Sequence, residues 1–291
     1  MIEVIAPGPY ATVQDLGRPG YGHLGVPRSG AADTPSLRLG NRLVGNPESA
    51  AGIELTFGGA RLRFIRGAWA AVTGAPCPLE ALWSGRTAAP GMAAPFWVPA
   101  GGEIRMATPS AGLRTYVAVR GGIDTPAVMG SRSTDSLSGL GPPPLRPGTI
   151  LPVGPTDGLP PITVDSAPPR ATPPDVLRVL PGPRDDWFVP GALAALCAQP
   201  YRVAQDSNRV GVRLEGARLE RAREGELPSE GMVTGALQVP PDGRPIVFLS
   251  DHPPTGGYPV ISVLASADLS RAAQLRPGDL VGFRLVRHPG G

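Results

Sequence analysis

Apolar positions along this chain come in short runs rather than in long periodic stretches. Residues 113–120 (LRTYVAVR) and 245–249 (PIVFL) read most clearly as strands, followed by 177–180, 61–65, 68–73 and 280–286. Each run is bounded by Gly, Pro or polar residues, as strands should be. Helical periodicity is scarce. Asp33 can cap a helix over 35–44, with Pro35 tolerated in its first turn and Gly45-Asn46 ending it. Asp185 or Asp186 can cap 187–198, although Pro190 and Gly191 interrupt its start, and Ser266 can cap 268–275 ahead of Pro277. The pattern predicts a mainly β fold with a few short helices, organised as two β-barrel subdomains.

A proline-rich stretch, 152–175, divides the chain. It reads as a semi-rigid extended linker between an N-terminal subdomain, 1–151, and a C-terminal one, 176–287. The flanking segments repeat landmarks in the same order. An apolar run stops at Pro7-Gly8-Pro9 in one and at Pro181-Gly182-Pro183 in the other. Gln14-Asp15 with Arg18 answers Gln205-Asp206 with Arg209, and Leu145-Arg146-Pro147-Gly148 answers Leu275-Arg276-Pro277-Gly278. This order suggests a degenerate internal duplication; chance in a Gly/Pro/Arg-rich chain is the competing reading.

Composition sharpens the picture. Glycine (40) and proline (38) are abundant in 291 residues, yet only 18% are charged and 41% are hydrophobic, so tight turns explain them better than disorder does. All 27 basic residues are arginine. Without lysine the chain has no Schiff-base, Walker-type or biotinyl lysine. The arginines form no basic run with interleaved aromatics, so no nucleic-acid partner is expected. Cys77 and Cys197 are isolated, as in a reducing cytosol. His23, His252 and His288 show no metal-ligand spacing, and no metal is expected. Neither a signal peptide nor an apolar stretch of membrane-spanning length is read, so a cytoplasmic protein is expected.

Three stretches could carry chemistry. Residues 14–33 hold five glycines and two prolines together with Gln14, Asp15, Arg18, Tyr21, His23, Arg28, Ser29 and Asp33. Residues 120–135 place Arg120 before Gly121-Gly122, then Ser131, Arg132, Ser133 and Thr134. Guanidinium forks suit carboxylates and phosphates, and glycine lets backbone N–H groups approach an anion. Residues 250–259 follow a strand with Asp251 and His252, then Thr255, Gly256, Gly257 and Tyr258. Asp251 or His252 could act as acid or base in a dehydrated site. Arg209 and Arg213 lie upstream of Glu230 and Gln238. For each stretch a solvated loop, a capped turn or structural ion pairing explains the same residues.

Taken together, the run GPYATVQDLGRPGYGHLGVPRSGAAD, the segments 41–46 (NRLVGN), 53–59 (IELTFGG), 120–123 (RGGI) and 130–134 (GSRST), and later 180–183, 229–230, 238–240 and 255–259 resemble the allophanate hydrolase subunit 2 family. This is also called the biotin-dependent carboxyltransferase family and includes the C-type subunits of 5-oxoprolinase and KipA-like proteins. Two departures stand out: Pro253-Pro254-Thr255 where relatives often have Gln-Thr-Thr, and Arg209-Val210-Gly211 where many have Arg-Met-Gly.

The resemblance implies cyclophilin-like barrels in two subdomains and a heteromer with a subunit 1 partner (KipI-like, the B-type subunit of 5-oxoprolinase), joined by an amidohydrolase-like third protein. The activity it implies is ATP-dependent opening of 5-oxoproline to glutamate. The alternatives are the carboxyltransferase half of a biotin-dependent urea or amide carboxylase, and a KipA-like regulator that binds a kinase inhibitor. ATP is then expected at the level of the complex, and biotin only from another protein. For lactam opening, Asp15, Glu54 and Asp251 are the acid/base candidates. Substrate and anion binding would fall to Gln14, Arg18, Tyr21, Ser29, Arg120, Gly121, Gly122, Ser131, Arg132, Ser133, Thr134, Arg209, Arg213, Thr255, Gly256, Gly257 and Tyr258.

Overall fold

The computed structural model describes residues 1–168, 176–225 and 227–286. The end of the proline-rich stretch, residue 287 and His288 lie outside the described residues. Among the described residues the fold is mainly β with three short α-helices, and the chain forms two compact units. The first comprises Met1–Arg18, Ser29–Asp135 and Gly139–Thr172; the second comprises Pro19–Arg28, Ser136–Ser138 and Pro173–Gly291.

The first unit is built on two sheets. In the five-stranded one, Tyr10–Gln14, Gly52–Thr56, Arg114–Val119, Ala68–Gly74 and Pro95–Val98 neighbour one another in that order. The six-stranded one runs Ile150–Leu151, Ile2–Pro7, Ala60–Phe64, Glu103–Met106, Leu79–Trp83, Arg86–Ala88. The main core is shared by alternate residues of both: Val4, Leu62, Phe64 and Ile104 from one, Val13, Ile53, Val72, Val117 and Val119 from the other. Arg114–Val119 is buried along its whole length because both faces are covered. Val117 and Val119 face the core, while Tyr116 and Ala118 belong to the apolar clusters that include Leu37 and Leu43.

Those leucines lie on the helix Thr34–Leu43, which packs against Arg114–Val119 and Ala68–Gly74. Gly40 lets it approach closely, since a Cβ there would stand 3.0 Å from the Ala118 Cβ. Asp33 caps the helix as expected, its carboxylate accepting from the Ser36 N–H at 3.3 Å and the Ser36 hydroxyl at 2.7 Å. Asp33→Ala is expected to cost about 1–2 kcal/mol in urea denaturation; an unchanged midpoint would show that the cap contributes nothing.

The second unit contains a closed barrel of seven strands: Val176–Pro181, Val260–Leu264, Ala236–Gln238, Ile246–Phe248, Gly211–Glu215, Tyr201–Val203 and Leu280–Leu285. Val176–Pro181 pairs in parallel with Leu280–Leu285 and closes the ring; the other neighbours are antiparallel. Leu177, Val179, Leu214, Leu237, Val247, Ile261 and Val281 fill its interior. The helix expected over 187–198 is shortened to Ala192–Ala198, because Gly191 adopts φ 91°. A single 3₁₀ turn, Asp185–Trp187, precedes it. The helix expected over 268–275 is likewise split into a 3₁₀ turn, Ser266–Asp268, and Leu269–Ala272.

The repeated Arg-Pro-Gly landmarks fold alike. The Arg146 N–H donates to Thr149 Oγ1 and the Arg276 N–H to Asp279 Oδ2, and residues 149 and 279 donate back to the arginine carbonyls at 3.0 Å. The strands they launch pair differently, however: Ile150–Leu151 runs antiparallel to Ile2–Pro7.

The proline-rich stretch begins by lying on the first unit. Val153 bridges Ile123, and the Arg120 guanidinium donates to the carbonyls of Leu159 and Pro160. Proline has no N–H to pair in a ladder, so a segment rich in it runs outside the sheets, and a side-chain donor can satisfy its carbonyls.

Candidate functional site

In the first unit the polar candidates gather at the end of Tyr10–Gln14, an edge strand. The segment 131–134 covers that edge: the Thr134 N–H donates to the Val13 carbonyl at 2.9 Å, and the Asp15 N–H to Ser133 Oγ at 2.9 Å. Covering an edge removes a row of unpaired backbone groups. Asp15 then organises the cluster. Its Oδ1 accepts from the Gly17 N–H (2.8 Å), Ser131 Oγ (2.6 Å) and Ser133 Oγ (2.5 Å), and its Oδ2 accepts from the Arg132 N–H (2.6 Å). The two serines therefore serve the carboxylate directly.

Gln14 and Arg18 attach to successive carbonyls of the same segment. Gln14 Nε2 donates to the Thr134 carbonyl and Arg18 Nη2 to the Ser133 carbonyl. Both side chains are buried. Among the described residues, Gln14 Oε1 and Arg18 Nη1 find no hydrogen-bond partner, so the cluster retains one buried acceptor and one buried cationic donor. Ser29, at φ 53°, adds a hydroxyl that donates to the Thr134 carbonyl. Thr134 itself is turned to the Pro142 carbonyl.

The other first-unit candidates lie apart from this cluster's hydrogen bonds. Glu54 is buried, accepting from the Ala32 N–H at 3.0 Å and the Tyr116 hydroxyl at 2.7 Å, with Arg114 Nε 3.5 Å away. Burial, then the charges of Glu54 and Asp33, push the Tyr116 phenol well above its ordinary value. Arg120 donates to the Val44, Leu159 and Pro160 carbonyls. The Gly121 N–H is taken by Asn46 Oδ1. Gly121 is required where it stands, since at φ 96° a Cβ would lie 2.3 Å from the Gly154 carbonyl oxygen. The Gly122 N–H reaches the Val119 carbonyl. The Arg132 side chain is 38% exposed and paired with Asp124 at 2.6 Å, so only its backbone joins the Asp15 cluster.

In the second unit the centre is a buried ion pair. Arg209 grips Asp251 with two parallel bonds of 2.9 Å, Nε to Oδ2 and Nη2 to Oδ1. Asp251 Oδ2 also accepts from the Ser136 N–H (3.0 Å) and hydroxyl (2.6 Å). Burial pushes the Asp251 carboxyl up, but the Arg209 charge and the bonds from Arg209 and Ser136 outweigh it and hold it below its ordinary value. The next residue, His252, stacks on Phe248 with ring centroids 5.7 Å apart.

A small antiparallel ribbon, Glu230–Gly231 with Thr255–Gly256, carries the Gly-Gly-Tyr turn. Gln238 Nε2 donates to the Tyr258 carbonyl at 3.2 Å. A Cβ at Gly256 would lie 2.7 Å from that same nitrogen. The Gly257 carbonyl accepts from the Leu227 N–H, and Glu230 is held by Arg184. Arg213 is exposed, pairing with Asp206 at 3.0 Å. Tyr21 is half-buried and precedes the 3₁₀ turn Gly22–Leu24.

Sequence reasoning missed Ser136, Tyr116, Arg114 and Asn46. Arg114 and Tyr116 stand within the strongest strand pattern, where a polar residue in an otherwise apolar run is itself a signal of a buried network. Ser136 sits in a run of ordinary loop residues that carries no such signal.

The family model for the carboxyltransferase domain, subdomains A and B, matches residues 24–285. The chain is 38% identical to the C-type subunit of 5-oxoprolinase from Escherichia coli (strain K12), over 97% of this chain and 90% of that protein. The solved structure of TTHA0988 superposes with a TM-score of 0.85 at 38% identity, covering 97% of this chain and 55% of that one. That of the K. lactis urea amidolyase gives 0.89 at 31% identity, covering 98% of this chain and 19% of that one. The chain thus spans only part of both solved proteins. Among the described residues no helix is long and apolar enough to cross a membrane.

Proposed function

We propose, from the premise that the chain belongs to the carboxyltransferase-domain family of subdomains A and B, that it is the C-type subunit of a cytoplasmic, ATP-dependent 5-oxoprolinase that opens the lactam to glutamate. In this reading, 1–151 and 176–287 act as its two subdomains. It works with a subunit 1 partner and an amidohydrolase-like third protein.

The observation that carries the reading is the pair of unsatisfied buried atoms in the Asp15 cluster. A lactam presents one N–H and one carbonyl oxygen. Gln14 Oε1 can accept from the first and Arg18 Nη1 can donate to the second. A buried cationic donor to the carbonyl oxygen also favours charge developing on that oxygen as the carbonyl is activated. Asp15, Ser131 and Ser133 hold the segment that positions Gln14 and Arg18. Arg209, paired with Asp251, is a buried guanidinium of the second unit, and Arg132, paired with Asp124, a more exposed one in the first. ATP enters at the level of the complex.

Likeness to the urea amidolyase structure favours a second reading, a carboxyltransferase for urea or a related amide. The chain has no lysine, so in that case biotin arrives on another protein.

The test is co-expression with the subunit 1 and amidohydrolase-like partners. One stable species is expected on size exclusion, together with glutamate release from 5-oxoproline that requires ATP and all partners. Separate elution with no ATP-dependent release would overturn the reading. Carboxylation of urea by a biotinylated partner would establish the alternative.

A further inference from the structure

Lined by none of the residues of the Asp15 cluster, a concave cleft of about 540 Å³ opens in the first unit. That lies within the roughly 300–1,000 Å³ of small-molecule sites. Two tryptophans form its aromatic wall. Trp69 and Trp97 are direct cross-strand partners on Ala68–Gly74 and the edge strand Pro95–Val98. Their rings meet edge to face, with centroids 5.9 Å apart and planes at 67°. They are 37% and 51% exposed. Indoles left this open forgo much of the stabilisation that burial would bring, and exposed apolar surface in a concavity commonly marks a binding site.

Gly67 shapes the wall. The six-membered ring of Trp97 rests on it so closely that a Cβ there would lie 2.6 Å from Cζ2.

The charge of the cleft is of one sign. Arg66 and Arg120 line it and no carboxylate does, among the described lining residues. Arg120 is fixed by three backbone carbonyls, so its charge is a permanent feature of the wall. Arg66 is exposed and has no carboxylate partner among the described residues. Its fork is open to an anion. Exposed indole faces beside an uncommitted guanidinium select a ligand with a flat aromatic ring at one end and an anionic group at the other.

We infer that this cleft binds a nucleotide, with the base against Trp97 and Trp69 and the phosphate at Arg66. The inference does not rest on the lactam reading, and its test needs no partner protein.

The experiment is calorimetric titration of the full chain with AMP, ATP, adenosine and inorganic phosphate, repeated on Arg66→Gln and Trp97→Ala. Saturable binding of AMP or ATP is expected. Each variant should weaken it by roughly tenfold or more, as loss of a charge-assisted bond or a stacked ring implies. Adenosine and phosphate should each bind more weakly than AMP. The inference fails if neither nucleotide binds, if both variants bind as the parent does, or if phosphate alone binds as tightly as AMP. Arg66 is a surface side chain, so Arg66→Gln carries the test even if Trp97→Ala does not fold.

Discussion

Arg209→Met is expected to destabilise the protein by about 3–5 kcal/mol. Arg209 is 3% exposed and Asp251 is fully buried. Removing the guanidinium takes both parallel bonds from a carboxylate in a dry site, while its bonds from Ser136 stay. The double variant Arg209→Met/Asp251→Leu should recover most of the loss, because apolar replacements of a buried pair are often nearly neutral. Urea denaturation monitored by far-UV circular dichroism measures all three proteins. A loss below about 1 kcal/mol in the single variant would show that the pair behaves as a solvated surface bridge.

The pair also predicts a pH dependence. The folded-state pKa of Asp251 lies below its unfolded value. Its contribution is therefore fully present above the ordinary carboxylate range and is lost as pH falls through that range and the folded pKa below it. The double variant should lack this acid-side component. A carboxylate held this way is a weak proton acceptor at neutral pH. If Asp251 does serve the chemistry, holding Arg209 in place is the role its surroundings best support.

Much of the fold was legible because it rests on local signals. The strands at Arg114–Val119, Ile246–Phe248 and Ala60–Phe64 lie where short apolar runs meet turn residues, and Asp33 caps its helix through a side chain chosen for that position. The helix read over 187–198 is shorter in the structure because one residue, Gly191 at φ 91°, breaks a continuity that apolar spacing alone implies. The Asp15 cluster was legible as composition but not as geometry. The sequence shows hydroxyls and a guanidinium in 131–134. Only the structure shows that Ser131 and Ser133 turn to Asp15, while the Arg132 side chain turns to Asp124. Arg120 illustrates the limit of reading a residue by its charge. A guanidinium beside two glycines suits an anion, yet the acceptors it meets in the fold are backbone carbonyls, two of them in a proline-rich segment 39 and 40 residues away. Long-range pairings of that kind leave no spacing pattern for a single sequence to display.

Asp15→Ala should cost about 2–4 kcal/mol and with it most of the activity, because four donors converge on the carboxylate it removes. Gly17, Ser131, Ser133 and the backbone of residue 132 would lose their common acceptor in a buried site. The segment that carries the Gln14 and Arg18 attachment points would then loosen. Asp15→Asn separates support from chemistry. It preserves size and one carbonyl acceptor but turns an amide donor toward groups that are themselves donating, so a smaller fraction of the stability should be lost. A supporting role predicts that activity and melting temperature fall together across the alanine and asparagine variants, with residual activity rising again at low temperature where the fold is intact. An Asp15→Asn protein with an unchanged melting temperature and no activity would contradict that role. It would place the Asp15 carboxylate among the groups that act on the substrate itself.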